Sequence, residues 1–202
     1  LLLGIPIEKA WTTPIEWVEP TDLLKQIEKR PANSYVKVLL KFSLEMDASL
    51  RKTQLEALHS LNNVCNKLDR RLMLELIIPD EFDTDGNSLS KAMKKIYEEN
   101  IYPVWWKIPS VETHNEWALI DSVLDQYDPQ GNIIILGYGA KMEEIKKRIS
   151  TAKTSKFVQG FAIGRTIFWE TWIGLLNNEI EINQVSSKIE QKYENLVQQW
   201  KS

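Results

Sequence analysis

Cysteine occurs once in this 202-residue chain, at Cys65, and histidine twice, at His59 and His114. A single thiol closes no disulfide within the chain and builds no thiolate zinc cluster. It matches a reducing compartment, so a cytoplasmic location is expected. Two histidines so far apart leave little material for a multi-histidine metal site or a serine–histidine triad. Neither a metal nor an organic cofactor is therefore expected, and both histidines read as surface or boundary residues of helices. No apolar run approaches the ~20 residues of a membrane span. Leu1-Leu2-Leu3 has no basic residues before it and no cleavage site after it, so it does not read as a signal peptide. Charge of one sign is lacking too. The 25 basic and 28 acidic residues leave a net charge of −3 and a pI near 5.6, which gives no electrostatic reason to expect nucleic acid or a membrane surface as partner. The runs Lys94-Lys95 and Lys146-Lys147-Arg148 lie in helical patterns with acidic neighbours and read as solvated faces. Low-complexity tracts, linkers and internal repeats are absent as well.

What the chain does have is alternation. Short apolar runs at Leu1–Ile7, Tyr35–Phe42, Leu72–Ile78, Val104–Ile108, Asn132–Leu136 and Phe157–Ile163 read as strands. Amphipathic stretches separate them at Thr21–Lys29, Leu50–Leu68, Ser90–Glu99, Thr113–Gln126 and Lys141–Ala152, followed by Arg165–Asn177 and a final helix around Val185–Trp200. Asp22 and Ser88 or Ser90 are the expected N-caps. Strands apolar on both faces, each followed by a helix, imply a parallel sheet, either doubly wound or closed into a barrel. No glycine-rich dinucleotide loop follows the first strand, which weakens the doubly wound option. About six βα units are present where a barrel has eight. The expectation is one partial (β/α)8 barrel domain over residues 1–202, lacking its first two units. The chain also opens without Met inside a strand-like run, so an N-terminal portion is expected to be missing.

The informative residues are charges inside the strands. In Val36-Lys37-Val38-Leu39-Leu40-Lys41-Phe42 the side chains alternate between faces. Val36, Val38, Leu40 and Phe42 suit the helix layer, while Lys37, Leu39 and Lys41 point into the barrel. Glu75 stands opposite Leu72, Leu74, Leu76 and Ile78, and Lys107 stands opposite Val104, Trp106 and Ile108. For each residue alone a snorkelling lysine or a paired glutamate is the ordinary reading. On one interior face, with alternating sign, they point to an active site. The matching chemistry is imine formation, in which a lysine freed of its proton by neighbouring cations and partial desolvation attacks a carbonyl. Lys107 is the expected nucleophile and Glu75 the proton carrier. The strand ends lack a cluster of His or carboxylate residues, which argues against a metal-dependent aldolase.

The last two strands end in Leu136-Gly137-Tyr138-Gly139-Ala140 and Gly160-Phe161-Ala162-Ile163-Gly164-Arg165. Barrels frequently hold phosphate with the loops after strands seven and eight. Gly137, Gly139 and Gly164 would let backbone N–H groups approach the anion, and Arg165 adds a bidentate fork. Of the eight tryptophans, Trp11, Trp17, Trp117, Trp169, Trp172 and Trp200 are expected to pack helices onto the barrel. Trp105 is the one candidate for contact with substrate.

Tyr102-Pro103-Val104-Trp105-Trp106-Lys107, Gly160–Phe168 and the tail Tyr193–Trp200 resemble an aldolase-like domain of unknown function found C-terminal to bacterial 5-dehydro-2-deoxygluconokinase. The resemblance runs over essentially the whole chain, and a more distant one is to class I tagatose-bisphosphate aldolase. It implies a barrel of the class I aldolase type. It also implies cleavage of 2-deoxy-5-keto-gluconate 6-phosphate to dihydroxyacetone phosphate and malonic semialdehyde, in myo-inositol catabolism. Lys107 then falls at the imine-forming lysine, Lys37 at a second active-site lysine and Glu75 at the acid/base glutamate. Gly164 and Arg165 match the phosphate-binding end of the final strand, with Gly137 and Gly139 near the preceding loop, where the tagatose enzymes carry a serine. Expected partners are a phosphorylated sugar acid, a fused or separate carbohydrate kinase, and further copies in a homo-oligomer. Family members carry two earlier strands, the first with an Asp in the site. The competing reading is a non-catalytic sugar-phosphate-binding domain that serves a kinase.

Overall fold

A computed structural model describes residues 3–19, 22–83 and 86–202. Six strands run in parallel in sequential order: β1 (Gly4–Pro6), β2 (Tyr35–Lys41), β3 (Leu72–Ile77), β4 (Trp105–Pro109), β5 (Ile133–Leu136) and β6 (Val158–Ala162). Sequential order leaves no switch point, so the doubly wound alternative falls. The sheet curls into a half-barrel whose two edges, β1 and β6, do not pair with each other.

The intervening helices are α1 (Leu23–Glu28), α2 (Ala48–Lys67), α3 (Ser88–Glu98), α4 (His114–Tyr127) and α5 (Met142–Ala152). Helix α6 (Arg165–Leu176) follows β6, and α7 (Ile182–Lys201) packs across α5 and α6. Every expected strand and helix lies within a few residues of its anticipated bounds, except that Leu1, Leu2 and Thr21 fall outside the described residues. Asp22 caps α1, its carboxylate accepting from Lys25 N at 3.0 Å. The N-cap of α3 is Asn87, so Ser88 and Ser90 fall inside the helix rather than capping it.

Side-chain alternation divides the sheet as its pattern requires. Val36, Val38, Leu40 and Phe42, with Leu72, Leu74, Leu76 and Ile78, join one continuous core against the helices. Leu39, Ile77 and Leu136 form a smaller apolar cluster on the concave side. The tryptophans divide against expectation. Trp117 is buried, and Trp17 and Trp200 pack at the core margin, but Trp11, Trp169 and Trp172 are about half exposed. Helix α6 is apolar nearly all round, so its amphipathic spacing could not mark which face would be covered.

Candidate active site

Parallel register sets the site. Lys37 pairs with Met73 and Leu39 with Glu75 between β2 and β3, and Glu75 pairs with Lys107 between β3 and β4. Lys37, Glu75 and Lys107 therefore share the concave face, and the long lysine side chains span the remaining distance. Lys37 Nζ lies 2.7 Å and Lys107 Nζ 3.2 Å from the same Glu75 Oε2. The three side chains are mostly buried, at 14, 11 and 23% relative exposure for Lys37, Glu75 and Lys107. A carboxylate between two ammonium groups satisfies the requirement that buried charge be paired.

A fourth charge completes the cluster. Glu8, two residues past β1, is nearly fully buried and accepts from Lys37 Nζ at 2.8 Å and from Leu39 N at 3.0 Å through Oε1. Its Oε2 accepts from Ile7 N at 3.1 Å. Lys37 is thus clamped between two carboxylates, whereas Lys107 meets only Glu75 among the described residues. Glu8 was not among the expected site residues. The sequence carried only part of the signal: alternation continued two residues past Pro6 puts Glu8 on the face of Pro6, and the pairing of Pro6 with Lys37 makes that face the inner one.

The cluster opens toward the C-terminal end of the sheet, into a cavity of about 290 Å³ lined by Glu75, Gly137, Gly139, Gly164 and Arg165. Glu75 and the phosphate-binding candidates thus border one space, whereas Lys37 and Lys107 do not line it and meet it only through their contacts with Glu75. Gly139 has a left-handed backbone (φ +75°), and a side chain there would meet Arg165 Nη2 at 3.7 Å, so the guanidinium lies over that glycine. Gly137 is a different case. A Cβ there would come within 3.2 Å of Ile163, so its missing side chain serves the close approach of two strand ends. Arg165 is exposed, and its side chain makes no hydrogen bond or ion pair among the described residues.

Trp11 and Tyr138 stand in the cavity wall with left-handed backbones (φ 66° and 47°). Such conformations are rare for bulky residues and concentrate at functional sites. Burial, with Asp80 nearby as a second cause, pushes the Tyr138 phenol above its ordinary range. Lys41, the other inward lysine of β2, lies 5.4 Å from the Trp11 ring centre and outside the carboxylate cluster. Trp105 pairs with Met73, two residues before the Glu75–Lys107 level and toward the opposite end of the sheet from the cavity. It does not line this cavity. A larger neighbouring space of about 620 Å³ is lined by Asp80, Asp83, Glu112 and Glu116 with Arg148, and its acidic wall does not suit a phosphate.

Among the described residues no group of three His, Cys, Asp or Glu side chains could hold a metal ion, and no helix is long and apolar enough to cross a membrane. Cys65 is buried, which pushes its thiol up to about 12, so it offers no thiolate.

Comparison with known proteins agrees at the level of fold. The crystal structure of Cgl0159 from Corynebacterium glutamicum superposes with a TM-score of 0.58 at 16% sequence identity over 87% of this chain. The chain spans 55% of that protein's length. No curated protein matches the sequence. A family model matches residues 1–202 throughout, and the chain belongs to that family, described as an uncharacterized protein conserved in bacteria (DUF2090).

Proposed function

We propose that this chain carries the reacting residues of a class I, Schiff-base aldolase that cleaves a phosphorylated keto sugar acid. The observation that carries the reading is the convergence of Lys107 and Lys37 on one oxygen of Glu75, beside a cavity bordered by Arg165. In this scheme Lys107 gives its proton to Glu75, 3.2 Å away, and Nζ attacks the substrate carbonyl carbon. Glu75 returns that proton as the carbonyl oxygen leaves as water, so a protonated imine forms and Glu75 is a carboxylate again. The bond between the carbons α and β to the imine then breaks, its electron pair passing to the imine to give an enamine, while Glu75 takes the proton of the β-hydroxyl, whose carbon becomes the aldehyde. Protonation of the enamine by Glu75 and hydrolysis of the imine free the ketone product and Lys107. Lys37, fixed by Glu8 at 2.8 Å, holds Glu75 in place from 2.7 Å. The Gly139–Arg165 pair supplies a cation and open backbone for the phosphate.

On the resemblance, we further propose 2-deoxy-5-keto-gluconate 6-phosphate as the substrate, with dihydroxyacetone phosphate and malonic semialdehyde as products, in inositol catabolism beside a carbohydrate kinase. The test is reductive trapping. Dihydroxyacetone phosphate and borohydride should add one covalent triose phosphate at Lys107, located by peptide mass spectrometry, and Lys107→Ala should take up none. A protein that binds the triose phosphate through Arg165 but forms no adduct would be the non-catalytic sugar-phosphate domain instead.

A further inference from the structure

The loops that border the inner cavity have an outer side, and a second cavity of about 510 Å³ lies there. It sits between the first turns of α5 and α6 and the middle of α7. Its cations are Lys141, Lys146, Arg165 and Lys192, against the single carboxylate Glu170. Glu170 is already engaged by Lys192 at 2.9 Å, and Lys146 reaches Glu143 at 2.9 Å. Lys141 and Arg165 form no ion pair among the described residues. In a chain of net charge −3 this concentration of positive charge in a concavity is unusual, and a concave lining of one sign focuses its field on a ligand of the other.

The same groove is walled by Trp169, which is 53% exposed. An indole left this open presents a flat apolar face on which planar rings stack. We propose that the groove binds an anion bearing a planar ring, the class of the nucleoside monophosphates. The ring lies on Trp169 and the phosphate falls among Lys141, Lys146 and Arg165. The site needs no reaction and does not rest on the aldolase reading, although Gly139, Arg165 and Thr166 border both cavities.

Calorimetry on the intact chain at low salt tests it, with adenosine monophosphate as the ring-bearing anion and adenosine and inorganic phosphate as its two halves. The nucleotide should bind more tightly than either half. Trp169→Ala should weaken it about tenfold, the usual worth of one stacked base, and leave inorganic phosphate unchanged. Trp169→Phe, which keeps a stacking face, should retain most of the affinity and so separate lost stacking from lost folding. Lys141→Ala combined with Lys146→Ala should weaken both nucleotide and phosphate. Lys107→Ala should change none of these affinities, which keeps the outcome distinct from that of the trapping experiment. Nucleotide affinity no better than that of inorganic phosphate, or unmoved by Trp169→Ala, would overturn the proposal.

Discussion

Glu8 divides its two oxygens among Lys37 Nζ, Leu39 N and Ile7 N, at 2.8, 3.0 and 3.1 Å. Truncating it removes one partner of a buried ion pair and leaves a strand N–H without its acceptor. Breaking such a pair from one side costs more than the pair is worth, because the remaining charge stays buried. Glu8→Ala should therefore lose about 3 kcal/mol in urea unfolding. Glu8→Gln, which keeps an acceptor for Leu39 N, should lose less. A Glu8→Ala variant as stable as the parent would mean that Glu75 alone, at 2.7 Å, satisfies Lys37. The same residue shows where the sequence ceases to be legible. Lys37, Glu75 and Lys107 stand out because each interrupts an apolar strand. Glu8 lies in Ile7-Glu8-Lys9, where a charge reads as the end of a strand, and only the pairing of Pro6 with Lys37 assigns it to the interior.

Elements, unlike single side chains, were legible almost throughout, since their periodicity repeats over several residues and survives local exceptions. Which aromatic side chain is covered depends instead on what packs over an element, and that is a tertiary property. Two buried tryptophans show a further difference that no pattern encodes. Trp106 in β4 donates its Nε1 hydrogen to Tyr97 Oη at 2.6 Å, whereas Nε1 of Trp117 in α4 has no hydrogen-bond partner among the described groups. Both are essentially fully buried. Replacement by Phe removes the same atoms from each, so the difference between the two losses isolates the hydrogen bond. Trp106→Phe should be the more destabilising by about 1 kcal/mol, because it removes the short bond to the Tyr97 hydroxyl and leaves that group only its 3.5 Å bond to Asp128. Equal losses would place a water on Trp117.

Asp121 makes α4 sensitive to pH. Its carboxyl is raised above the ordinary 3.8, chiefly by burial, even though Ser155 Oγ donates to it at 2.5 Å. A folded state that holds the proton more tightly than the unfolded chain gains its full contribution below 3.8. It loses that contribution as pH climbs through the raised value. Asp121→Asn keeps an acceptor for Ser155 without the buried charge. Its melting temperature should equal or exceed the parent's at pH 7, and the advantage should shrink as the pH is taken below 4. A variant less stable than the parent at pH 7 would mean that the charge itself holds Ser155 and the start of β6.

At the scale of the molecule the sheet is a half-barrel with a charged inner face, and its stability rests on the outer one. The core on that face runs without interruption from Ile7 after β1 to Leu196 in α7. The count of βα units made the open form legible, because six strands cannot close where eight are needed. The way α7 secures it was not legible, since Leu196 is one leucine among many at helical spacing. Leu196 is fully buried, and it joins the last helix to the same core that holds the first strands. If that continuity governs unfolding, α7 does not fray off alone. Leu196→Ala, which opens a cavity in that core at a cost of about 3 kcal/mol, should move the whole urea transition to lower concentration while keeping it single. Circular dichroism would follow the helices and amide hydrogen exchange in β3 and β4 the sheet, and the two curves should coincide. A helical signal lost ahead of the sheet's exchange protection would show α7 to be a separately melting cover, with the six-strand sheet standing without it.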